Sequence, residues 1–395
     1  MKILALGGAG HVGSMVVDLL INHSDTDIII GDANVRRMAK LSEKYGNRIS
    51  TTLINADDDK ELIKLMGSAD LVISTIGPYY KYATKLIKAA IAAKTNFIDV
   101  DDDSDATKDS LDLDEAAKIA GVSVIIGCGA TPGTSNLMAK AGADKLDKVN
   151  DIRIYWAQSG TDPAGNASIM HWFHIISEEV PQYIDGKWVM VKGFTGAEWF
   201  DFPILGRQET LYTGHAEPIS LPRYIKGVKN VTIKGSVFPP SMLDIYKVLN
   251  NIGLGSDSDI ALRNDFSIPV RELTVKMLRN MPRLSPDFFL NIYNEKKAME
   301  EKANWGNIAG VVSVVVTGEK AGKKMTCRYD GICDDVNTIT AAPLTAGALM
   351  MLNGDVKKKG VMAPEGALEW APFLNQFNKL GISITLQQSE TTQVM

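Results

Sequence analysis

Cysteine is scarce in this chain of 395 residues, which contains Cys128, Cys327 and Cys333. No two of them form a CxxC pair, so the sequence offers neither a disulfide framework nor a cysteine zinc site. Histidine is also rare, with five residues, and no third ligand lies near His171 and His174, the pair that could share one helix face. We therefore expect these two histidines to pack in the core or at a dimer surface, and we expect no bound metal. The scarcity of cysteine is typical of a reducing compartment, which predicts the cytoplasm.

An excess of one charge and long apolar runs are missing too. Lys plus Arg number 42 and Asp plus Glu 47, a formal net charge of −5, so there is no cationic excess for a phosphate backbone. No stretch approaches the ~18 apolar residues that cross a membrane, and glycines interrupt the N-terminal apolar run, unlike in a secretory signal. We expect no nucleic-acid partner, no membrane partner and a cytoplasmic protein.

The first third of the chain alternates short β-branched runs with helical periodicity. The predicted strands are Lys2–Leu6, Asp27–Gly31, Ile49–Ile54, Leu71–Ser74, Asn96–Val100 and Val122–Ile126. The predicted helices between them are Val12–Ile21, Ala33–Tyr45, Glu61–Met66, Ala83–Ala93 and Asp112–Ala120. Strands that alternate with helices form parallel sheets covered on both faces. The pattern predicts an α/β fold with a doubly wound parallel sheet.

From about Val149 the predicted strands become longer and alternate apolar with polar residues. These strands are Asp151–Ala157, Trp188–Val191, Val231–Ser236, Gly310–Gly318 and Lys324–Tyr329. With turns such as Asp185-Gly186, they favour an antiparallel sheet. Two helical blocks, Ser168–Tyr183 and Ser241–Asn304, interrupt it, and the chain is predicted to be helical again from about Asn337.

Glycines recur at Gly8, Gly10 and Gly13, where the first strand gives way to the first helix. At this spacing glycine permits a tight turn, close approach of the backbone to a pyrophosphate, and close packing of the helix on the strand. A glycine-rich turn in a fold that has lost its cofactor is the alternative. The predicted dinucleotide contacts from this loop are Gly8, Gly10, His11, Val12 and Gly13.

The acid at the end of the second predicted strand bears on which dinucleotide binds. Asp32 follows Gly13 by 19 residues, where a carboxylate can accept the ribose hydroxyls of NAD and repel the 2′-phosphate of NADP. Arg36 and Arg37 could pair with that phosphate instead. Because an arginine side chain must first be ordered, we expect NAD to be preferred over NADP. Further cofactor contacts are predicted at Ala33 and Asp57.

The run Ser74–Tyr80 follows the fourth predicted strand. Ligands of open α/β sheets lie outside the carboxyl ends of the strands, so this loop should pass near the ribose or nicotinamide of a dinucleotide. An ordinary turn with surface tyrosines is the alternative. The predicted cofactor contacts here are Thr75, Gly77 and Tyr79.

A run of acids, Asp99 to Asp103, ends the fifth predicted strand. Carboxylates at this edge could hold a substrate ammonium group, and we assign that role to Asp101 and Asp102. The alternative, strongest for Asp103, is that the acids cap the next helix and complement its dipole. No octahedral set of metal ligands is visible, which makes a metal the weaker interpretation.

Motifs along the chain, in order, resemble the saccharopine dehydrogenase family. They are Gly8–Gly13, Gly77-Pro78-Tyr79, Ile98–Asp103, Gly127–Asn136, Leu211–Glu217 with Leu221-Pro222-Arg223, and Ala363–Ile382. The resemblance implies a discontinuous Rossmann domain, residues 1–134 and 337–395, for the dinucleotide. It also implies an inserted α+β mixed-sheet domain, residues 135–336, for substrate binding and for dimerisation into a homodimer.

His215 lies in one of these family-like segments, two residues before Glu217. A histidine beside a carboxylate can move protons near neutral pH, so we predict that His215 acts as an acid or base. A buried structural histidine is the alternative. Cys128 has no adjacent base, which argues against nucleophilic catalysis.

The resemblance and the site residues together predict an NAD(P)-dependent oxidoreductase. Its expected substrate is a small amino acid or amine derivative whose CH–NH group is interconverted with an imine, which can hydrolyse to a carbonyl. One alternative is a catalytically silent NAD(P)-binding protein. Another is a reductase that joins an aldehyde and an amine by reductive condensation.

Overall fold

The protein is described here by a computed structural model, which covers residues 1–162, 165–263, 266–381 and 385–393. The chain divides into two compact units. The first unit comprises Met1–Asp144, Ile219–Lys226 and Asn337–Ser383. The second unit comprises Lys145–Pro218, Gly227–Val336 and Ile384–Met395.

Strands and helices alternate through the N-terminal part of the chain. They are β1 Lys2–Leu6, α1 His11–His23, β2 Asp27–Asp32, α2 Val35–Tyr45, β3 Ile49–Leu53, α3 Asp59–Met66, β4 Leu71–Ser74, α4 Tyr79–Ala93, β5 Asn96–Asp99, α5 Ser104–Leu111, α6 Asp114–Ala120, β6 Ser123–Ile125 and α7 Thr134–Ala143.

The central part is richer in strands. It contains β7 Lys148–Ser159, α8 Asn166–Ser177, β8 Glu179–Ile184, β9 Lys187–Lys192, β10 Glu198–Phe202, β11 Gly206–Tyr212, α9 Glu217–Tyr224, β12 Asn230–Phe238, α10 Pro240–Asn251, β13 Asp259–Arg263, β14 Phe266–Pro269, α11 Val270–Arg279, α12 Met281–Leu284, α13 Pro286–Ala303, β15 Gly310–Lys320 and β16 Lys323–Cys333. The C-terminal part contains α14 Val336–Leu352, β17 Gly360–Met362, α15 Pro364–Ala367, α16 Trp370–Lys379 and β18 Thr385–Gln393.

The first unit is built on a parallel sheet whose described strands lie in the order β17-β6-β5-β4-β1-β2-β3. Residues Ile3 to Leu6 and Leu71 to Ser74, in the central strands β1 and β4, are buried on both faces, as in sheets covered by helices on each side. The strand order reverses between β1 and β4, which places a crevice outside their carboxyl ends. This is a doubly wound Rossmann sheet, so the predicted fold class is confirmed.

The second unit contains a sheet with the described path β10-β11-β12-β7-β15-β16-β18, to which β8 and β9 add beside β12. The predicted antiparallel sheet needs one correction, because β12 pairs with β7 in parallel along Asn230 to Phe238. The sheet is therefore mixed, as the family resemblance implied. The predicted turn at Asp185-Gly186 is confirmed, with φ of 50° and 77°.

Two predicted helical blocks contain strands. The helix predicted to run to Tyr183 ends at Ser177, and β8 follows, in which Val180 and Gln182 alternate inward. This strand was missed because its period of two extends over a few residues interrupted by a proline. Likewise, the antiparallel pair of strands β13 and β14 lies inside the block predicted as helix from Ser241 to Asn304.

The two units differ from the predicted domain boundaries at three places. The first unit continues past residue 134 to Asp144 and also takes in Ile219–Lys226. The end of the tail, predicted with the Rossmann domain, belongs to the second unit because β18 pairs antiparallel with β16 over Lys324 to Ile332. Among the helices the structure describes, none has the length and apolar character needed to cross a membrane.

Core packing of the first unit can be tested at Phe97, which lies in β5 and has no exposed surface. We expect Phe97→Ala to lower the free energy of unfolding of the first unit by about 3–5 kcal/mol, because it leaves a cavity. Ile119→Ala, at a side chain that is 81% exposed, should change it by less than about 0.5 kcal/mol. Urea unfolding followed by circular dichroism measures both, and equal losses would contradict the packing.

Candidate functional site

The loop between β1 and α1 is shaped by its glycines. Gly7 has a φ of 72°, and a Cβ added at Gly13 would lie 2.2 Å from the carbonyl oxygen of Gly7. A Cβ at Gly8 would lie 2.9 Å from the carbonyl oxygen of Ala5. Glycine is therefore required at Gly8 and Gly13 for the turn and for the close packing of α1 on it.

Gly10 serves a different purpose in the same loop. A Cβ there would meet the Gly7 carbonyl oxygen at 3.0 Å and no other described atom within 4 Å, so its open side can admit a ligand close to the backbone. His11 begins α1 and Val12 follows it, and the first N–H groups of a helix attract phosphate. The predicted phosphate-binding residues therefore form a cradle that suits the pyrophosphate of a dinucleotide.

Asp32 connects the end of β2 to this cradle. Its Oδ2 accepts a hydrogen bond from the Ala9 N–H at 3.0 Å and its Oδ1 accepts one from the Asn34 N–H at 2.8 Å. The carboxylate is thus fixed at the strand end, where an adenosine ribose is expected. Beside it Ala33, Arg36 and Arg37 are exposed.

Asp57, the other acid predicted to contact the cofactor, follows β3. It is exposed and forms an ion pair with Lys85, with 3.1 Å between Asp57 Oδ1 and Lys85 Nζ. The structure therefore gives Asp57 a partner on α4 of the first unit. Its contact with a cofactor stays a prediction.

Thr75 joins the end of β4 to the same cradle. Its hydroxyl lies 3.3 Å from the Leu6 carbonyl oxygen and 3.2 Å from that of Gly7, within donating distance of both. The peptide bond from Gly77 to Pro78 is cis, and α4 begins at Tyr79. The predicted contacts after β4 are thus grouped at the carboxyl edge of the sheet.

Alternate members of the acid run point into the protein. Asp99 Oδ1 accepts the N–H groups of Gly127 at 2.8 Å and of Asp101 at 3.1 Å. Asp101 Oδ1 accepts the N–H of Asp103 at 3.1 Å, and Asp103 Oδ2 accepts the N–H of Tyr80 at 2.7 Å. We call this chain of hydrogen bonds through Asp99, Asp101 and Asp103 the aspartate ladder.

Burial changes the ionisation of the ladder. It raises the pKa of Asp99 to about 7, with the nearby charge of Asp102 adding to the effect. Burial, followed by repulsion from Asp99 and the neighbouring acids, raises the pKa of Asp101 well above its ordinary value. Asp101 is fully buried, and its Oδ1 already accepts the N–H of Asp103, whereas Asp102 is half-buried. Asp102 is therefore the more accessible candidate for the ammonium group, and both roles stay predictions.

Tyr79 shares this environment. Burial, then the charges of Asp102, Asp99 and the rest of the run, raise the pKa of its phenol well above 10. The phenol therefore stays protonated near neutral pH and can donate a hydrogen bond.

His215 lies in the second unit, in the segment between β11 and α9. It is 3% exposed, and its Nδ1 lies 3.9 Å from Oε2 of the fully buried Glu217. Its ring centroid is 5.3 Å from that of Trp156 and 5.9 Å from that of His171. The structure thus places the predicted carboxylate beside His215 and adds a second imidazole.

Asn136 is the centre of a buried network that the sequence did not assign to the site. Its Oδ1 accepts the Gly133 N–H at 2.9 Å, and its Nδ2 donates to Ser220 Oγ and Glu365 Oε2, each at 3.0 Å. Burial raises the pKa of Glu365 to about 7. The network fixes the loop after β6 to two distant segments of the first unit. Asn136 and Glu365 both lie in motifs that resemble the family, and this resemblance is the sequence feature that could have pointed to them.

Comparison with known proteins identifies the family. Residues 3–125 match the saccharopine dehydrogenase NADP binding domain, and residues 129–382 match the saccharopine dehydrogenase C-terminal domain. The chain belongs to the saccharopine dehydrogenase family, a group of NADP-binding oxidoreductases. The predicted family is confirmed.

Named relatives are distant. Mitochondrial alpha-aminoadipic semialdehyde synthase of Bos taurus is 24% identical over 98% of this chain and 48% of its own length. Saccharopine dehydrogenase (NADP⁺, L-glutamate-forming) of Pyricularia oryzae is 27% identical over 70% of this chain and 63% of its own length. The chain therefore spans about half the length of the bovine relative and less than two thirds of the fungal one.

A solved structure shows the same fold. Apo saccharopine dehydrogenase (L-Glu forming) from Saccharomyces cerevisiae matches with a TM-score of 0.68 at 16% identity, over 98% of this chain and 99% of that chain. The match of residues 3–125 to the family's NADP binding domain makes a nicotinamide dinucleotide the class of cofactor. The family description names NADP, which does not support the preference for NAD that we drew from Asp32.

The ionisation of Asp99 predicts a pH dependence of stability. Its pKa in the folded protein is about 7, against about 4 in an unfolded chain. The contribution of protonated Asp99 to the free energy of unfolding is fully present below about pH 4. It is lost as the pH rises to about 7, because the unfolded chain ionises more readily and the buried group must finally ionise too.

We expect Asp99→Asn, which keeps the Oδ1 acceptor, to lose less stability than the unmodified protein across this window. Melting temperatures between pH 4 and 8 measure the difference. Asp109→Asn, at an exposed acid on α5, should follow the unmodified protein. Parallel curves for Asp99→Asn and the unmodified protein would refute the assignment.

Proposed function

We propose that this protein is an NADP(H)-dependent oxidoreductase that acts on the CH–NH group of an amino acid or amine derivative. The observation that carries the proposal is the glycine cradle, where Gly13 permits α1 to lie against the turn and Gly10 leaves the backbone open to a pyrophosphate. The family supports the cofactor class. Saccharopine, named in its relatives, is the first substrate to test.

In this proposal NADP supplies hydride transfer to or from the carbon that bears the nitrogen. Asp102 holds the positively charged nitrogen, because it is the half-buried acid of the run. Tyr79, whose phenol stays protonated, donates a hydrogen bond at the place where the cofactor and the substrate meet. His215, with Glu217 beside it in the second unit, is the proposed acid or base.

Two alternatives lead to different outcomes. A reductase that joins an aldehyde to an amine would use the same residues in the opposite direction. A silent NADP-binding protein would keep the cradle and show no turnover. A homodimer and a cytoplasmic location stay predictions.

Turnover distinguishes these functions. We expect reduction of NADP⁺ with saccharopine or another member of a panel of secondary amines and amino acids, measured by absorbance. NADPH oxidation that needs both an aldehyde and an amine would favour the reductase, and inactivity in both directions with intact NADPH binding would favour the silent protein.

On the active substrate His215→Ala should lower kcat by about 10²–10⁴-fold while NADPH affinity stays unchanged. His23→Ala, at the exposed last residue of α1, is the control. A fall of less than about threefold would make His215 structural.

Cofactor preference depends on the exposed arginines of α2. We expect the unmodified protein to bind NADPH more tightly than NADH, and the double variant Arg36→Ala/Arg37→Ala to weaken NADPH binding by roughly tenfold or more with little change for NADH. Lys40→Ala on the same helix should leave both unchanged, and Gly10→Val should abolish both. Fluorescence titration measures the dissociation constants. Tighter NADH binding by the unmodified protein would contradict the NADP assignment.

A further inference from the structure

Asp103 occupies the N-cap position of α5, but its side chain does not cap that helix in the described part of the chain. Its carboxylate instead accepts the N–H of Tyr80 at 2.7 Å, from a residue 23 positions earlier. An N-cap aspartate usually bonds the second or third N–H of its own helix. Asp103 therefore caps α4, the helix that begins with Tyr79.

The first turn of α4 needs such a partner. The helix begins after Pro78, and the N–H groups of Lys81 and Tyr82 bond to the Pro78 carbonyl oxygen at 3.2 and 3.3 Å. The Tyr80 N–H precedes these bonds and belongs to the N–H groups that a helix cannot satisfy by itself. A carboxylate at this end also complements the helix dipole.

Asp103 is itself held by the rest of the aspartate ladder. Its N–H donates to Asp101 Oδ1, and the N–H of Asp101 donates to Asp99 Oδ1, which also accepts the N–H of Gly127. The backbone of Gly127 is closely packed, because a Cβ there would lie 2.7 Å from Pro132 and 2.8 Å from the Asp101 carbonyl oxygen. The ladder thus connects the loops that follow β4, β5 and β6.

From this geometry we propose that Asp103 is a positioning residue that fixes Tyr79 through the Tyr80 N–H. The inference rests on the proposed function, in which Tyr79 contacts the cofactor and substrate. The ladder sets the start of α4 relative to the loop carrying Asp102, so the two side chains that act on the reacting group keep a constant separation. The proposal also explains why Asp103 is fully buried although it carries a helix-capping sequence signal.

The variants separate this role from ordinary capping. Asp103→Ser can still cap α5 but is too short to reach the Tyr80 N–H. Asp103→Asn keeps a carbonyl oxygen at the acceptor position. Asp109→Ala, at an exposed position on α5, removes an acid that does not serve α4.

NADPH binding gives the first measurement. We expect Asp103→Ser to weaken NADPH binding by about tenfold, Asp103→Asn to restore most of the affinity, and Asp109→Ala to match the unmodified protein. In a Tyr79→Phe background, Asp103→Ser should have little further effect, because both changes act through the same side chain. Additive effects of the two substitutions on NADPH affinity would overturn the proposal. If neither substitution changes NADPH affinity, the role of Tyr79 in the proposed function is wrong.

Amide hydrogen exchange decides the matter even if no nicotinamide cofactor binds. Asp103→Ser should speed exchange at the start of α4, in the segment from Gly77 to Tyr82, while Asp103→Asn and Asp109→Ala leave it unchanged. Unchanged exchange in Asp103→Ser would overturn the positioning role. Faster exchange with no NADPH binding by the unmodified protein would support the positioning and reject the proposed function.

Discussion

The close contact between Gly13 and the carbonyl oxygen of Gly7 determines how near α1 lies to the sheet. With no side chain between them, the helix begins directly over the carboxyl end of β1. The hydroxyl of Thr75 can then reach the carbonyl oxygen of Gly7, and Asp32 can accept the N–H of Ala9. Hydrogen bonds between these two side chains and backbone groups of the loop thereby join β1, β2 and β4 at one edge of the sheet.

Most of the first third, apart from α5, could be predicted because its signals are local. A short apolar run, a glycine spacing and a strand-ending acid each lie within a few residues, and the buried central strands β1 and β4 appear as short apolar runs in the sequence. The acid run shows the limit of such signals. Composition indicated several carboxylates at the sheet edge, but which of them face inward depends on residues from other loops. The N–H of Gly127, after β6, bonds to Asp99, and the N–H of Tyr80 bonds to Asp103.

Other features depend on residues that are far apart in the chain. Asn136 and Glu365 are 229 residues apart, and no local pattern relates them. The pairing of β18 with β16 likewise depends on a distant partner, so the sequence could not indicate it. The hydrogen bonds of Asp32 depend on chain-distant residues in the same way. The N–H of Ala9, in the loop after β1, bonds to its carboxylate, and no local pattern indicated this contact.

Each unit takes an edge strand of its sheet from the same C-terminal segment of the described chain. Strand β17 forms the edge of the first sheet beside β6, and β18 forms the edge of the second beside β16. The completeness of both sheets therefore depends on the segment from Gly360 to Gln393. A proteolytic cut before Gly360 would expose the edges of β6 and β16 together, and would leave two open sheets instead of one finished unit and one missing unit.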